Sequence, residues 1–232
     1  MVGYAGDVLF PTQILGQYFE SMDGGVVPNY LADSEAQLAS LVSAIEIAAR
    51  SYPPSIDHDF SVLFGMRVGD LMDSTFTLSA ITFTNGRLAN RTDHDIPEQS
   101  ALIAAVGSGA DRFRDVLIQW QARDSGGTSR AVYSAFAEHL VLGGDPQSGG
   151  PPQLVGLIRR GSARMIGVVW QQKRYFCGME IAESATSSPI RWHNDLFELC
   201  DPGRTGPTQL QPLPRNHRED LAVFRRRRLP LP

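Results

Sequence analysis

Two serines, one aspartate and a pair of Asp-His-Asp triplets are the places where this 232-residue chain could do chemistry. Ser108 stands between two glycines, after the apolar run Leu102-Ile103-Ala104-Ala105-Val106. By itself a serine there reads as the cap of a helix beginning near Ala110, because a side-chain oxygen satisfies the free N–H groups of a first helical turn. Asp145 and Ser148 lie three apart in Gly144-Asp145-Pro146-Gln147-Ser148-Gly149-Gly150. The triplets Asp57-His58-Asp59 and Asp93-His94-Asp95 combine ligand types that suit Zn²⁺ or Mn²⁺. Adjacent residues on a strand point to opposite sides, so each triplet offers only part of a coordination sphere, and both are read as solvated loop residues. His139 falls at core spacing on a helix and is read as packed there.

These residues need elements to position them. Leu102 to Val106 is long enough for one buried strand. Asp111 to Gln121, with Phe113, Val116, Leu117 and Trp120 on one face, and Ser129 to Leu142, with Val132, Phe136, His139 and Leu140, read as helices. Thr128 or Ser129 is the cap of the second. Gln153 to Arg159, Arg164 to Trp170 and Arg174 to Ile181 read as a meander, with turns at Arg160-Gly161-Ser162 and Gln171-Gln172-Lys173. Upstream, Met1 to Tyr4 reads as the end of a strand. Val8 to Met22 and Asp33 to Arg50 read as helices, with Pro11 tolerated in a first turn. The alternation of Val62, Phe64, Met66 and Val68 predicts a strand, and Thr75 to Thr84 a second. Asn85-Gly86 is a hairpin turn leading to a return strand from Arg87 to Arg91. Helices grouped between runs of antiparallel strands predict α+β layering, not a doubly wound parallel sheet.

Strand, Gly-Ser-Gly turn, two helices, Asp-x-x-Ser-Gly-Gly loop, strand: in this order the chain resembles the second half of a proteasome β-type subunit, or of its HslV-like bacterial relative, among the N-terminal-nucleophile hydrolases. Val2-Gly3-Tyr4-Ala5-Gly6-Asp7 is similar to that family's Ala-Gly-x-x-Gly strand. The resemblance covers roughly Met1 to Ile181 and implies an αββα four-layer sandwich. It also implies roles. Ser108 sits beside the nucleophile's α-amine, Asp145 and Ser148 support the same site, and Gly3 lends its backbone N–H to the oxyanion hole. The family's chemistry is hydrolysis of a peptide or amide bond, with a terminal Thr, Ser or Cys as nucleophile and its own amine as general base. No cofactor is implied.

The departure from the family is as informative as the match. There the nucleophile opens the mature chain, one strand hairpin upstream of the Ala-Gly-x-x-Gly strand, and an acid and a lysine that tune it share that hairpin. Here the sequence starts at the later strand, so the fold is expected to be N-terminally truncated and the protein inactive as written. An upstream extension or a partner is expected to fill the gap. Three readings stand: a threonine-type peptidase or amidohydrolase lacking its true start, a non-catalytic assembly subunit of a proteasome-like homo- or hetero-oligomer, and an unrelated binding module.

Composition bounds the rest. A hydrophobic share of 42% and a charged share of 20% are ordinary for a globular chain, and a net charge of −4 gives no overall argument for nucleic acid, so none is expected as a partner. Two cysteines, Cys177 and Cys200, make neither a disulfide framework nor a metal cluster, and Cys177 is read as a small buried strand residue. With no membrane-length apolar run and no signal-peptide pattern, a cytoplasmic setting is the default. Residues 1–182 are read as the domain. Residues 183–232 hold seven of the fifteen prolines and end in Arg225-Arg226-Arg227-Arg228 before Leu-Pro-Leu-Pro, so they are read as a partly disordered tail, with a short helix from His193 to Leu199.

Overall fold

A computed structural model describes residues 1–30, 33–53, 58–182, 190–201 and 207–209. In chain order it contains β1 (Val2–Gly6), α1 (Leu9–Asp23), α2 (Ser34–Ala49), β2 (Phe60–Val68), β3 (Thr75–Thr84), β4 (Arg87–His94), α3 (Ala110–Gln121) and α4 (Ser129–Leu142). Seven short strands follow: β5 (Leu154–Gly156), β6 (Arg164–Trp170), β7 (Lys173–Phe176), β8 (Met179–Glu180), β9 (Trp192–Asn194), β10 (Leu199–Cys200) and β11 (Pro207–Gln209). The class is α+β, as the sequence pattern predicts.

The first sheet has the order β1-β2-β3-β4 and is antiparallel throughout. Its apolar face follows from period-2 alternation: Phe60, Val62 and Phe64 of β2 point to the same side as Ile81 and Phe83 of β3. Phe60 and Phe83 are register partners, and their rings stack with centroids 4.9 Å apart. Phe10, Ile14, Leu15 and Tyr18 of α1 and Leu38, Leu41 and Ile45 of α2 cover this face in one core. Each fully buried side chain here contributes about 1.5–3 kcal/mol relative to exposure. Asp33 caps α2, accepting from Ala36 N at 3.0 Å, and Asp7, just before α1, accepts from Phe10 N at 3.2 Å. The Asn85-Gly86 turn adopts φ of 49° and 68°, as a type I′ hairpin requires.

The opposite face of this sheet carries small and half-buried groups. A Cβ on Gly65 would lie 2.9 Å from Met1 Cε and 3.5 Å from Leu157 Cδ1, so the stretch around β5 approaches it closely. Arg67 Nη1 donates to Ile158 O at 2.6 Å, and Leu71 N to Arg159 O at 2.8 Å, which fastens the two parts together. Phe113, Val116, Leu117 and Trp120 of α3 pack with Ala131 and Ala135 of α4 in a separate cluster, so the two helix pairs have distinct cores.

The second sheet runs β11-β10-β9-β6-β7-β8, with β5 also paired to β6. It is mixed, not purely antiparallel, because β9 joins β6 in parallel. Gly167 makes that junction possible: a Cβ there would lie 2.4 Å from the Trp192 ring.

Several expectations are corrected. Leu102 to Val106 forms no strand, because no strand among the described residues pairs with it; Leu102 and Ala105 instead pack on the α3–α4 cluster. The Gln153–Arg159 strand shortens to Leu154–Gly156, and Arg174–Ile181 splits into β7 and β8. Between them Cys177 and Gly178 turn at φ of 51° and 81°, which leaves Cys177 exposed, while Cys200 is the buried one. No helix forms at 193–199. Asn194 Oδ1 accepts from Leu196 N and Glu198 N and closes a turn between β9 and β10. Residues 190–201 therefore belong to the sheet rather than to a tail, with Trp192 only 2% exposed. Arg225 to Arg228 lie outside the described residues.

Candidate functional site

A cavity of about 1130 Å³ lies between β1 and the stretch 102–110, with α4 and residues 147–154 closing its other sides. Gly3, Ser108 and Ser148 all line it. The chain enters the site along Leu102–Val106 and turns at Gly107, whose φ of 100° is open only to glycine at low cost. A Cβ on Gly107 would lie 3.0 Å from Ala5 Cβ, so this turn rests directly against β1.

Ser108 is not the helix cap. Gly109 precedes α3 as its cap residue and offers no side-chain cap, and the Ser108 hydroxyl donates instead to Asp145 Oδ2 at 2.7 Å. Asp145 is delivered from the other side. α4 stops at Gly143 in the left-handed region, and the loop beyond it closes as Asp145 Oδ1 accepts from Gln147 N at 3.1 Å and Asp145 O from Ser148 N at 3.2 Å. That turn brings the Ser148 hydroxyl to Asp145 Oδ2 at 2.6 Å. Residues 37 positions apart in sequence thus share one carboxylate oxygen. The hydroxyl of Ser148, then that of Ser108, then the Gln147 N–H hold the Asp145 carboxyl below the usual carboxylate range.

Both hydroxyl protons are therefore committed to a weakly basic carboxylate, and both oxygens keep lone pairs for other donors. Such a cluster orients a polar group placed beside it; it does not activate either serine for attack, which needs a base near neutral pKa. Among the described residues, no lysine or arginine lines the cavity.

Among the described residues, β1 has a strand on one side only. Met1 and Gly65 exchange both backbone hydrogen bonds at 2.9 Å, and the regular register carries the same pairing to Gly3–Leu63 and Ala5–Ser61. The Gly3 N–H accordingly points into the sheet, and the amides of Val2, Tyr4 and Gly6 face the open edge. A donor to an oxyanion from this strand comes from those neighbours. Gly3 has open space where a side chain would be, so it leaves the cavity wall bare.

The described residues of the two Asp-His-Asp triplets form no common group. Asp57 is outside the described residues, and His58 is buried among the rings of Phe10 and Tyr52. Asp93 is bonded to Ser79 and Arg91. Among the described residues, no group of three His, Cys, Asp or Glu is placed to hold a metal ion.

Sequence reasoning passed over His139. It is buried against Phe113, as its helical spacing predicts, yet it also lines the cavity beside Ser148. The available signal was a stripe of Val132, Phe136, His139 and Leu140 that runs straight into the Asp145 loop. Comparison with protein-family models, with curated proteins and with solved structures gave no match.

Proposed function

We propose that the chain is a homologue of the proteasome-like N-terminal-nucleophile hydrolases, with αββα layering and the supporting half of a threonine-type peptidase or amidohydrolase site. The observation that carries this reading is the convergence of Ser108 and Ser148 on Asp145 Oδ2, at the wall of a cavity that β1 also lines. The motifs that suggested the family are far apart in sequence, and they meet in one place. Two open edges add support. Among the described residues, β1 pairs on one side only, and no backbone group of 102–106 bonds to another backbone group. A strand hairpin laid in the cavity pairs with both and sets its first residue beside Ser108. No residue of the described cavity acts as the nucleophile, so the chain as written is inactive and needs a terminal Thr, Ser or Cys delivered by such a hairpin.

The test is an assay with fluorogenic peptide amides. The chain as written gives no turnover, whereas a version extended by a Thr-initiated hairpin hydrolyses them and loses about 100-fold or more of that rate on Ser108→Ala. Turnover by the unextended chain that disappears on Ser108→Ala overturns the proposal, since Ser108 would then be the nucleophile. A non-catalytic assembly role is favoured by a different observation, the exposure of Ile118 on α3 and of Val141 and Leu142 on α4. Sedimentation velocity separates the two: a defined oligomer without activity in the extended chain supports assembly.

A further inference from the structure

Two loops, one from each sheet, meet at an end of the molecule that the reading above leaves without a role. One is the short turn Leu71–Asp73 between β2 and β3, and the other, residues 157–163, joins β5 to β6. Leu71 N donates to Arg159 O at 2.8 Å, and the Ser74 hydroxyl is shared between Leu71 O at 2.6 Å and Arg159 O at 3.3 Å. Arg67 Nη1 donates to Ile158 O at 2.6 Å and Arg159 Nη1 to Ser74 O at 3.1 Å, so the loops are held side by side.

Their outer surface combines apolar and basic groups. Met72 is 84% exposed and Leu71 47%, and Ile158 and Met165 are exposed on the second loop and its strand. Leu71 also has a φ of 53°, in the left-handed region where a Cβ crowds the following carbonyl, and so exposed a side chain offsets little of that strain by burial. On the loops and their flanks, Arg67, Arg159, Arg160 and Arg164 stand against Asp70 and Asp73. Arg67 lies 3.8 Å from Asp70, and Arg159 sits over the Phe76 ring at 5.6 Å. Arg160 and Arg164 are exposed and have no ion-pair partner among the described residues. A chain of net charge −4 thus carries a locally basic end.

We propose that this end is a docking surface for an anionic lipid membrane, with Leu71, Met72 and Ile158 entering the headgroup layer and Arg160 and Arg164 meeting lipid phosphates. Such a surface is independent of the Ser108–Asp145–Ser148 cluster. Apolar burial and the attraction of guanidinium groups for an anionic leaflet act together, and salt screens the second. The apolar side chains are carried on turns, where they enter a soft layer without needing a preformed pocket; this favours lipid over an acidic protein.

The experiment is co-sedimentation of the full chain with vesicles of phosphatidylcholine alone and with about 30% phosphatidylserine, at low and at physiological salt. The chain should bind the phosphatidylserine vesicles at least about 10-fold more tightly, and added salt should weaken that binding. Arg160→Glu combined with Arg164→Glu should lose about 10-fold or more of the affinity. Leu71→Asn combined with Met72→Ser should weaken it by about as much. Asparagine suits a left-handed φ, so the melting temperature should not fall and lost binding is not lost folding. Replacing Arg225 to Arg228 with serine should leave binding in place. Binding that disappears with those four and is untouched by the loop variants overturns the proposal, as does no binding to either vesicle. Binding of soluble polyglutamate in place of the vesicles, lost in the double arginine variant, overturns the lipid assignment in favour of an acidic protein.

Discussion

Asp145 is the residue on which this site turns, because three donors from two separate stretches end on its carboxylate. Hydrogen bonds made only to the ionised form depress a carboxyl's titration, and the sign of the pH dependence follows. The stability they contribute is fully present above the unfolded midpoint of about 3.9 and is lost as pH falls through the lower folded one. Asp145→Asn removes the anion but keeps the shape. The melting temperature of wild type should exceed that of Asp145→Asn most at neutral pH, and the gap should close as pH falls below about 4. A gap independent of pH would mean that the carboxylate is not the acceptor in solution.

At the scale of elements, turns and pairings set what the side chains can reach. Gly86 holds the β3–β4 hairpin at φ 68°, and a Cβ there would lie 2.3 Å from Ala49 Cβ and 3.0 Å from His58 Cδ2. Gly86→Ala should therefore cost about 2–4 kcal/mol, from left-handed strain and overpacking together, as read by chemical denaturation. The stretch 102–106 makes the opposite point. It is half-buried, yet apart from Ala105 O, which accepts from Arg114 Nη2, its backbone groups have no partner among the described residues. Its amides should exchange with deuterium orders of magnitude faster than those of the paired β2, consistent with backbone groups that lack a ladder. Protection equal to that of β2 would show that something pairs with it in solution.

For the whole molecule, the late strands are structural. Trp192, Val169 and Cys200 form a third core cluster, and the half-buried Arg130 pairs with the buried Glu198 at 3.2 Å, joining α4 to the turn between β9 and β10. A chain cut after residue 182 loses this pair and the Trp192 core at once. It should melt far lower than the full chain, or show no cooperative transition by calorimetry. A sharp transition at an unchanged temperature would return residues 190–201 to the status of a tail.

Elements whose stabilising contacts are local were legible along the chain. Period-3.6 stripes place α1 to α4, Asp33 and Thr128 cap where cap chemistry requires, and Asn85-Gly86 turns as its φ preferences dictate. The motif order also singled out Ser108, Asp145 and Ser148, which the fold does bring together. Tertiary structure decided whatever depends on a partner distant in the chain. Leu102–Val106 has strand composition but no strand beside it, and Trp192 enters a sheet because Gly167 leaves room for its ring. The direction of the Gly3 amide follows from which residues of β2 stand opposite. Spacing along a chain carries no information about such meetings, because they are set by how the layers close.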